Sequence, residues 1–138
     1  MTTEGRSEDA GAEAGPLTRL TPRLRITLET GLRLGPGKID LLEAIDSSGS
    51  ISAAGRSLGM SYRRAWRLVD ETGRMFSRPV VVASAGGARG GGARLTEFGR
   101  ALVAAYRRIE ARTACVVREE LAPFESDLAD AAIDDVGA

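Results

Sequence analysis

The sequence predicts a mainly α fold that carries a small β hairpin, and three observations support this. Two short helical segments meet at a corner around Gly59. A β-branched run at residues 80–82 leads into a glycine-rich stretch, as expected for two strands around a flexible tip. After Thr96 the apolar residues recur with helical spacing as far as Pro123. Because only 4% of the 138 residues are aromatic, Leu, Val, Ile and Ala must form most of the core.

The N-terminal part changes character after residue 22. Residues 1–22 are rich in Gly, Ala, Glu, Thr and Pro, and we predict a disordered tail there. From residue 23 apolar and polar side chains alternate, which predicts a strand whose buried face comprises Leu24, Ile26 and Leu28. A helix is expected over residues 38–46, with a buried stripe formed by Ile39, Leu42 and Ile45, and with Leu41 beside it.

Residues 50–76 predict two helices joined by a tight turn. The first helix ends at Leu58, and Gly59 takes the left-handed conformation that commonly stops a helix. Met60 then points an apolar side chain inward. Since Gly55 has no side chain, the two helices can cross closely there, which is the arrangement of a helix-turn-helix.

The second helix is predicted to cover residues 61–76, with a serine cap at its start. Its candidate DNA-binding side chains point outward and are Ser61, Tyr62, Arg63, Arg64 and Arg67. Arginine can bind guanine O6 and N7 in a major groove, and we assign this role to Arg63 or Arg67. Arg64 is expected to point towards backbone phosphates. The alternative is that these residues form an ordinary solvated helix face.

Two single residues have competing interpretations. Trp66 lies near the predicted DNA side of the second helix, but a tryptophan between Tyr62 and Val69 is more often a packing residue, which is the reading we favour. Cys115 lies among apolar neighbours on the last helix and is expected to be a packing residue. A redox role would need a stronger activating neighbour than the nearby arginines.

The glycine-rich segment predicts a wing at residues 84–94. Its tip carries Arg89, which we expect to contact the DNA backbone or minor groove, and Arg94 begins the returning strand. Arg94 is either a phosphate contact or one half of a cross-strand salt bridge. The segment does not match a phosphate-binding loop, because no Lys-Ser or Lys-Thr follows a glycine and because the segment precedes a strand. The whole pattern is therefore that of a winged helix-turn-helix.

The last helix is long enough to pack beyond a single small core. Thr96 caps it and Pro123 should end it. Its predicted stripe comprises Phe98, Leu102, Ala105, Ile109 and Val116, flanked by Val103, Tyr106, Thr113 and Val117. We expect part of this helix to pack on a second copy of the chain. The predicted ordered domain covers residues 23–122, and residues 123–138 form an acidic tail.

The formal net charge of zero conceals a basic middle and an acidic end. Residues 55–112 contain twelve arginines and four acidic residues, whereas every charged residue after Arg118 is acidic. The chain has one cysteine and no histidine, which excludes Cys/His zinc sites, histidine-dependent catalysis and a disulfide within the chain. We expect no metal site, no cofactor and no enzymatic activity. Without a membrane-length apolar run or a signal sequence, a cytoplasmic location is expected.

Several motifs together resemble a known family. These are Gly-Ser-Ile-Ser, Met-Ser-Tyr-x-x-Ala-Trp, Gly-Gly-x-x-Gly-Gly-Gly-Ala and Leu-Thr-x-x-Gly. Over residues 23–112 the chain resembles the N-terminal DNA-binding domain of ModE-type molybdate-dependent transcriptional regulators, a domain related to that of LysR-type regulators. The resemblance implies a homodimer that binds a palindromic operator through double-stranded DNA contacts, with the long helices at the dimer contact.

One departure from that family bears on ligands. ModE-type regulators carry C-terminal β-barrel domains that bind molybdate, and we expect none here because the sequence after the long helix is short and acidic. The resemblance thus implies DNA binding without molybdate sensing. The rival interpretation is a protein-interaction module that keeps the winged-helix scaffold, with the acidic tail covering its basic face.

Overall fold

The computed structural model describes residues 15–84 and 91–129 of the chain. The described residues belong to two compact units, one covering residues 23–110 and the other formed by the parts before and after it. In the second unit Leu17 and Ala114 are buried. The predicted N-terminal tail therefore holds one buried side chain near its end, while residues 1–14 lie outside the described part, and the boundary at residue 22 stays a prediction.

The order of elements confirms a mainly α fold with a small β wing. Along the chain come β1 (Ile26–Thr27), β2 (Arg33–Leu34), α1 (Pro36–Ser48), α2 (Ile51–Ser57), α3 (Tyr62–Phe76), β3 (Val81–Ser84), β4 (Gly92–Leu95) and α4 (Glu97–Leu121), with a 3-10 helix (Ala122–Asp127) after α4. The strands form two separate antiparallel pairs, β1 with β2 and β3 with β4. The helix-turn-helix of α2 and α3 followed by the β3–β4 wing is the predicted winged helix-turn-helix.

The N-terminal strand is shorter than predicted. Only two residue pairs form the β1–β2 ladder, with Ile26 opposite Leu34. Leu28 was expected on the buried face, but it is 38% exposed because its backbone already belongs to the turn that Gly31 closes with φ +87°. The predicted burial of Leu28 is wrong, whereas Leu24 and Ile26 pack against the core as expected.

Helix α1 supplies the centre of the core. It starts earlier than predicted, because Pro36 fits the first helical position, where its missing N–H is not needed. All four predicted core residues of α1 are at most 1% exposed. Ile39 and Leu42 pack into one apolar cluster with α4, and Leu41 and Ile45 into a second cluster that supports α2, α3 and β4.

In helix α4 the predicted Phe98 and Leu102 pack against the core, but the most deeply buried residues lie on the predicted flank. Gly99, Val103 and Tyr106 turn to the core, and Tyr106 is fully buried, whereas Ile109 of the predicted stripe is 41% exposed. The cause is Gly99, where a Cβ atom would collide with the carbonyl oxygen of Val80. Because glycine lets the helix approach that carbonyl, the residues one and two turns later face inward with it.

The end of α4 follows the prediction in part. The α-helix ends at Leu121, two residues before Pro123, and continues as the 3-10 helix. Cys115 is exposed, with the guanidinium of Arg118 3.8 Å from its sulfur, so the expected packing role is wrong. Residues 130–138 of the predicted acidic tail lie outside the described residues.

Candidate nucleic-acid interface

The corner between α2 and α3 is formed as the sequence predicts. Gly59 has φ +69°, a conformation that glycine adopts without strain. The N–H of Met60 donates to the carbonyl oxygen of Gly55 at 2.9 Å, and its side chain packs against the second apolar cluster. A Cβ atom on Gly55 would lie 3.2 Å from the Cβ atom of Ala65. The absence of a side chain at Gly55 therefore sets the close approach of the two helices.

Helix α3 is capped and oriented by short polar side chains. The Ser61 hydroxyl accepts a hydrogen bond from the Arg64 N–H at 3.1 Å. Ala65 and Thr72 face the core at 0% and 1% exposure, and the Thr72 hydroxyl donates to the Leu68 carbonyl at 2.7 Å. The helix continues through Gly73 as predicted. Its inward face is thus fixed, and with it the direction of every other side chain.

The predicted contact residues of α3 all reach the surface. Ser61, Tyr62, Arg63, Arg64 and Arg67 are each exposed. At 100° per residue, Arg63 and Arg67 lie opposite the buried Ala65 and Thr72, in the middle of the outward face. Within the described part of the chain neither guanidinium forms an ion pair. Both therefore keep their donor groups available to a ligand.

Trp66 departs from the favoured interpretation. Its side chain is 52% exposed and that of Tyr62 is 59% exposed, so Trp66 is not a core packing residue. Both aromatic side chains line an open groove of about 330 Å³ between α3 and the β3–β4 wing. The sequence carried a signal for this, since Trp66 follows Tyr62 by one helical turn and precedes an arginine of the outward face.

The base of the wing is held on two sides. The Ala93 N–H donates to the Gly49 carbonyl oxygen at 2.8 Å, which ties β4 to the end of α1. The Thr96 hydroxyl accepts from the Gly99 N–H at 2.9 Å, as a cap of α4, and donates to the Pro79 carbonyl at 2.8 Å. These hydrogen bonds hold the base of the wing beside α3, where residues of both line one groove.

Arg94 is placed on that wing with its side chain free. The returning strand begins at Gly92 and not at Arg94 as predicted, and Arg94 pairs in register with Val82. Arg94 is exposed and forms no ion pair with another described residue, so the cross-strand salt bridge is absent there. Arg89 and most of the glycine-rich tip fall in residues 85–90, outside the described residues.

A further basic group was not singled out from the sequence. Arg25, Arg33 and Lys38 line a pocket together with Arg64, on the other flank of α3 from the wing. The alternation around β1 placed Arg25 on the polar face, but nothing in the spacing brings it near residue 64. Only the folding of the β1–β2 hairpin beside α3 does so.

The chain has clear relatives. No family model matches it. It is 41% identical over 93 residues to a molybdenum transport protein ModE of Azotobacter vinelandii, and 46% identical over 99 residues to a molybdenum-pterin-binding protein MopB of Rhodobacter capsulatus. These matches cover 67% and 72% of this chain. Over the matched residues the chain is thus similar to proteins of the ModE type.

The ModE-type resemblance concerns one part of the relatives. The chain spans about a third of their length, 34% and 35% respectively. A DNA-binding transcriptional dual regulator ModE of Escherichia coli is 37% identical over 83 residues, which is 60% of this chain and 32% of that protein.

A solved structure shares the fold of this domain. The CbnR DNA-binding domain, solved in a complex with DNA, superposes with a TM-score of 0.50 at 20% identity, covering 63% of this chain and 94% of that one. The architecture is accordingly a winged helix-turn-helix. Within the described residues no helix is both long and apolar enough to cross a membrane.

Proposed function

We propose that this protein is a transcriptional regulator that binds double-stranded DNA as a homodimer. Residues 61–76 enter the major groove, and the wing of residues 84–94 lies on the backbone. The observation that carries this proposal is that Arg63 and Arg67, at the middle of the outward face of α3, are exposed and form no ion pair with another described residue. Its similarity to a protein named as a DNA-binding transcriptional regulator supports the same conclusion.

The site residues divide into base and backbone contacts. Arg63 and Arg67 bind guanine edges, where each bidentate contact discriminates by about 1–3 kcal/mol. Ser61 and Tyr62 at the start of α3, with Arg64, contact phosphates that border the groove. Arg94 and Arg89 of the wing contact the neighbouring backbone. Because α3 and the wing are both fixed to α1, these two sets of contacts are presented together.

The apolar surface after residue 115 supports the homodimer. Val116, Leu121, Phe124 and Leu128 are between 36% and 57% exposed. Apolar side chains repeated along one segment are commonly covered by a partner. A second copy is the partner that the ModE-type resemblance supplies. In a two-fold dimer the recognition helices lie about 34 Å apart, which calls for a palindromic operator with half-sites one DNA turn apart. Such a regulator acts in the cytoplasm.

Selection of duplexes from a random-sequence pool tests this function. The purified chain should enrich a palindrome, and footprinting upstream of its own gene should find a related site. Its affinity should fall steeply with salt, because phosphate contacts release counterions. Failure to enrich any sequence, with no retention of duplex DNA at low salt, would contradict the proposal and favour the protein-interaction module.

The role of Arg67 has its own test. Arg67→Ala should weaken binding to the selected operator more than to a mixed-sequence duplex, since it removes a base contact. Arg108→Ala is the matched control, because it removes the same charge from an exposed position of α4. An equal loss on both duplexes would show that Arg67 touches phosphate alone.

A further inference from the structure

A basic pocket of about 290 Å³ lies beside the recognition helix, and of the residues that line it only Arg64 carries a proposed DNA contact so far. It is lined by the β1–β2 hairpin, the start of α1 and one flank of α3. Its charged side chains are Arg25, Arg33, Lys38, Arg64 and Glu71. Four cationic groups therefore share the pocket with a single carboxylate.

The single carboxylate is already engaged. The Lys38 side chain is 9% exposed, and its ammonium group lies 3.5 Å from Glu71 Oε2 and donates to the Arg33 carbonyl oxygen. Lys38 and Glu71 thus largely offset each other. The guanidinium groups of Arg25, Arg33 and Arg64 remain, and none of them forms an ion pair with another described residue. Concentrated like charge lowers the stability of a fold, and a bound anion relieves the repulsion.

The position of the pocket around α3 defines which anion can reach it. Arg64 and Glu71 lie on one flank of α3, and Tyr62 and Trp66 lie on the other, where the wing stands. Arg63 and Arg67 point outward between the two flanks. A helix in a major groove about 12 Å wide has one phosphate strand on either side. One flank of α3 therefore meets the strand gripped by the wing, and the other flank meets the opposite strand.

From this arrangement we infer that the pocket formed by Arg25, Arg33 and Arg64 binds a backbone phosphate of the strand opposite the wing. The inference rests on the proposed DNA binding and adds to it a second set of backbone contacts. The recognition helix is then held from both sides, by β3–β4 on one strand and by the β1–β2 hairpin on the other. The contact carries no base information, so it raises affinity for all sequences alike.

A double variant isolates this contact. In Arg25→Ala/Arg33→Ala the hairpin should keep its backbone pairing but lose the two basic side chains that line the pocket. Affinity should fall by about tenfold on the selected operator and on a mixed-sequence duplex alike, and the slope of log K against log salt should become less steep by about 2. The control Arg100→Ala/Arg108→Ala removes the same charge from exposed positions of α4 and should change the slope far less.

Two further measurements guard against a folding defect. Arg25→Lys/Arg33→Lys keeps the charge and should retain a nearly wild-type salt slope. Ethylation of individual phosphates should interfere with wild-type binding on the strand opposite the wing, and this interference should vanish for the alanine double variant. Equal behaviour of the hairpin and control double variants, with no such interference position for the wild type, would overturn the inference while leaving the DNA-binding proposal intact.

The source of the phosphate is tested separately. Titration with inorganic phosphate should show no binding at millimolar concentration that depends on Arg25 and Arg33. Binding of the free ion that is lost in the double variant, together with unchanged DNA affinity, would assign the pocket to a free oxyanion and overturn the inference. If the wild-type chain retained no duplex at all, the proposed function would fail first and this contact with it.

Discussion

The hydroxyl of Tyr106 donates a hydrogen bond to the backbone carbonyl oxygen of Leu24, 2.6 Å away and 82 positions earlier in the chain. The Tyr106 side chain is fully buried, and its ring belongs to the apolar cluster around Ile39. One residue of α4 thus fixes the segment that leads into the β1–β2 hairpin. The same bond therefore sets where Arg25 emerges beside α3.

Tyr106→Phe should lower the free energy of unfolding by about 1–2 kcal/mol, because it leaves the Leu24 carbonyl without its donor while the ring still fills the core. Urea unfolding followed by circular dichroism measures the change. Tyr62→Phe is the control, since that hydroxyl is on a 59% exposed side chain and its loss should leave the midpoint unchanged. Equal midpoints for Tyr106→Phe and wild type would show that the bond contributes no net stability.

The same tyrosine should make stability depend on alkaline pH. Burial, with a smaller contribution from Glu110, raises the pKa of Tyr106 above its ordinary value of 10.0. The folded state therefore keeps the proton that the unfolded chain loses. The protonated Tyr106 hydroxyl therefore contributes fully to the free energy of unfolding below about pH 10. This contribution is lost as the pH rises from there through the pKa of Tyr106 in the folded state. Above pH 10 the stability of Tyr106→Phe should fall less steeply than that of the wild type, and parallel profiles would contradict this.

Gly55→Val should destabilise the domain, because its side chain would push on Ala65 and on the Met60 carbonyl oxygen, which lie 3.2 Å and 3.3 Å from a built Cβ atom. Overpacking of this kind costs about 1–3 kcal/mol. Gly37→Ala is the control in helix α1, where a Cβ atom meets nothing within 4 Å and the change should stabilise by about 0.5–1 kcal/mol. Unfolding midpoints that move in the same direction would contradict the assigned role of Gly55.

Arg107→Met should weaken the packing of α4 on α1. The guanidinium bonds to Glu43 at 2.8 and 3.0 Å, to Asp40 at 2.8 Å and to Glu110 at 2.8 Å. These bonds, first that to Glu43, raise the pKa of Arg107 above its ordinary value. Because the Arg107 side chain is 34% exposed, solvent screening limits the expected decrease in the free energy of unfolding to about 1–2 kcal/mol. Most of this decrease comes from the repulsion among the three carboxylates that lose their common partner.

Salt and a matched variant separate that network from an ordinary surface pair. The difference between Arg107→Met and wild type should shrink in molar salt, where the screening length is about 3 Å. Arg74→Met removes one pair with Asp70 from a side chain that is 76% exposed, and it should cost less than about 0.5 kcal/mol. A loss for Arg107→Met as small as that for Arg74→Met would show that the network adds nothing beyond a surface pair.

Trp66 should report DNA binding by its own fluorescence. It is the only tryptophan and is half-exposed in the groove between α3 and the wing. Its emission should lie at the long wavelengths of a solvated indole and should shift or be quenched when the selected operator is added. Trp66→Ala should cost little stability, about 1 kcal/mol or less, since no core contact is lost. An unchanged emission at saturating operator would place Trp66 away from the bound DNA.

The predictions from the sequence that the structure confirms depend on local chemistry. The left-handed Gly59, the Ser61 cap and the Thr96 cap were all predicted, because a turn or a cap is decided by the residue itself and by its near neighbours. The stripe of α1 was predicted as well, since a helix buried on one side shows its face in the spacing of its apolar residues.

The predictions that were wrong concern residues whose surroundings depend on other segments of the chain. In α4 the centre of the buried face lies on the predicted flank and not on the predicted stripe, because Gly99 packs on the Val80 carbonyl, a contact that the helix periodicity cannot show. Trp66 was assigned to packing because residue type alone favours the interior, whereas the position of the wing leaves it in an open groove. Leu28 was assigned to a strand that the turn at Gly31 cuts short.

The sequence by itself determined the kinds of elements, the corner of the helix-turn-helix and the arginine-rich outward face of α3, because each depends on residues within one or two turns of one another. Tertiary structure alone decided that Arg25 and Arg33 join Arg64, and that Tyr106 holds Leu24. Those contacts join segments far apart in the chain. Their formation depends on how α1, α4 and the hairpin pack together, and packing of this kind leaves no periodic mark on the sequence.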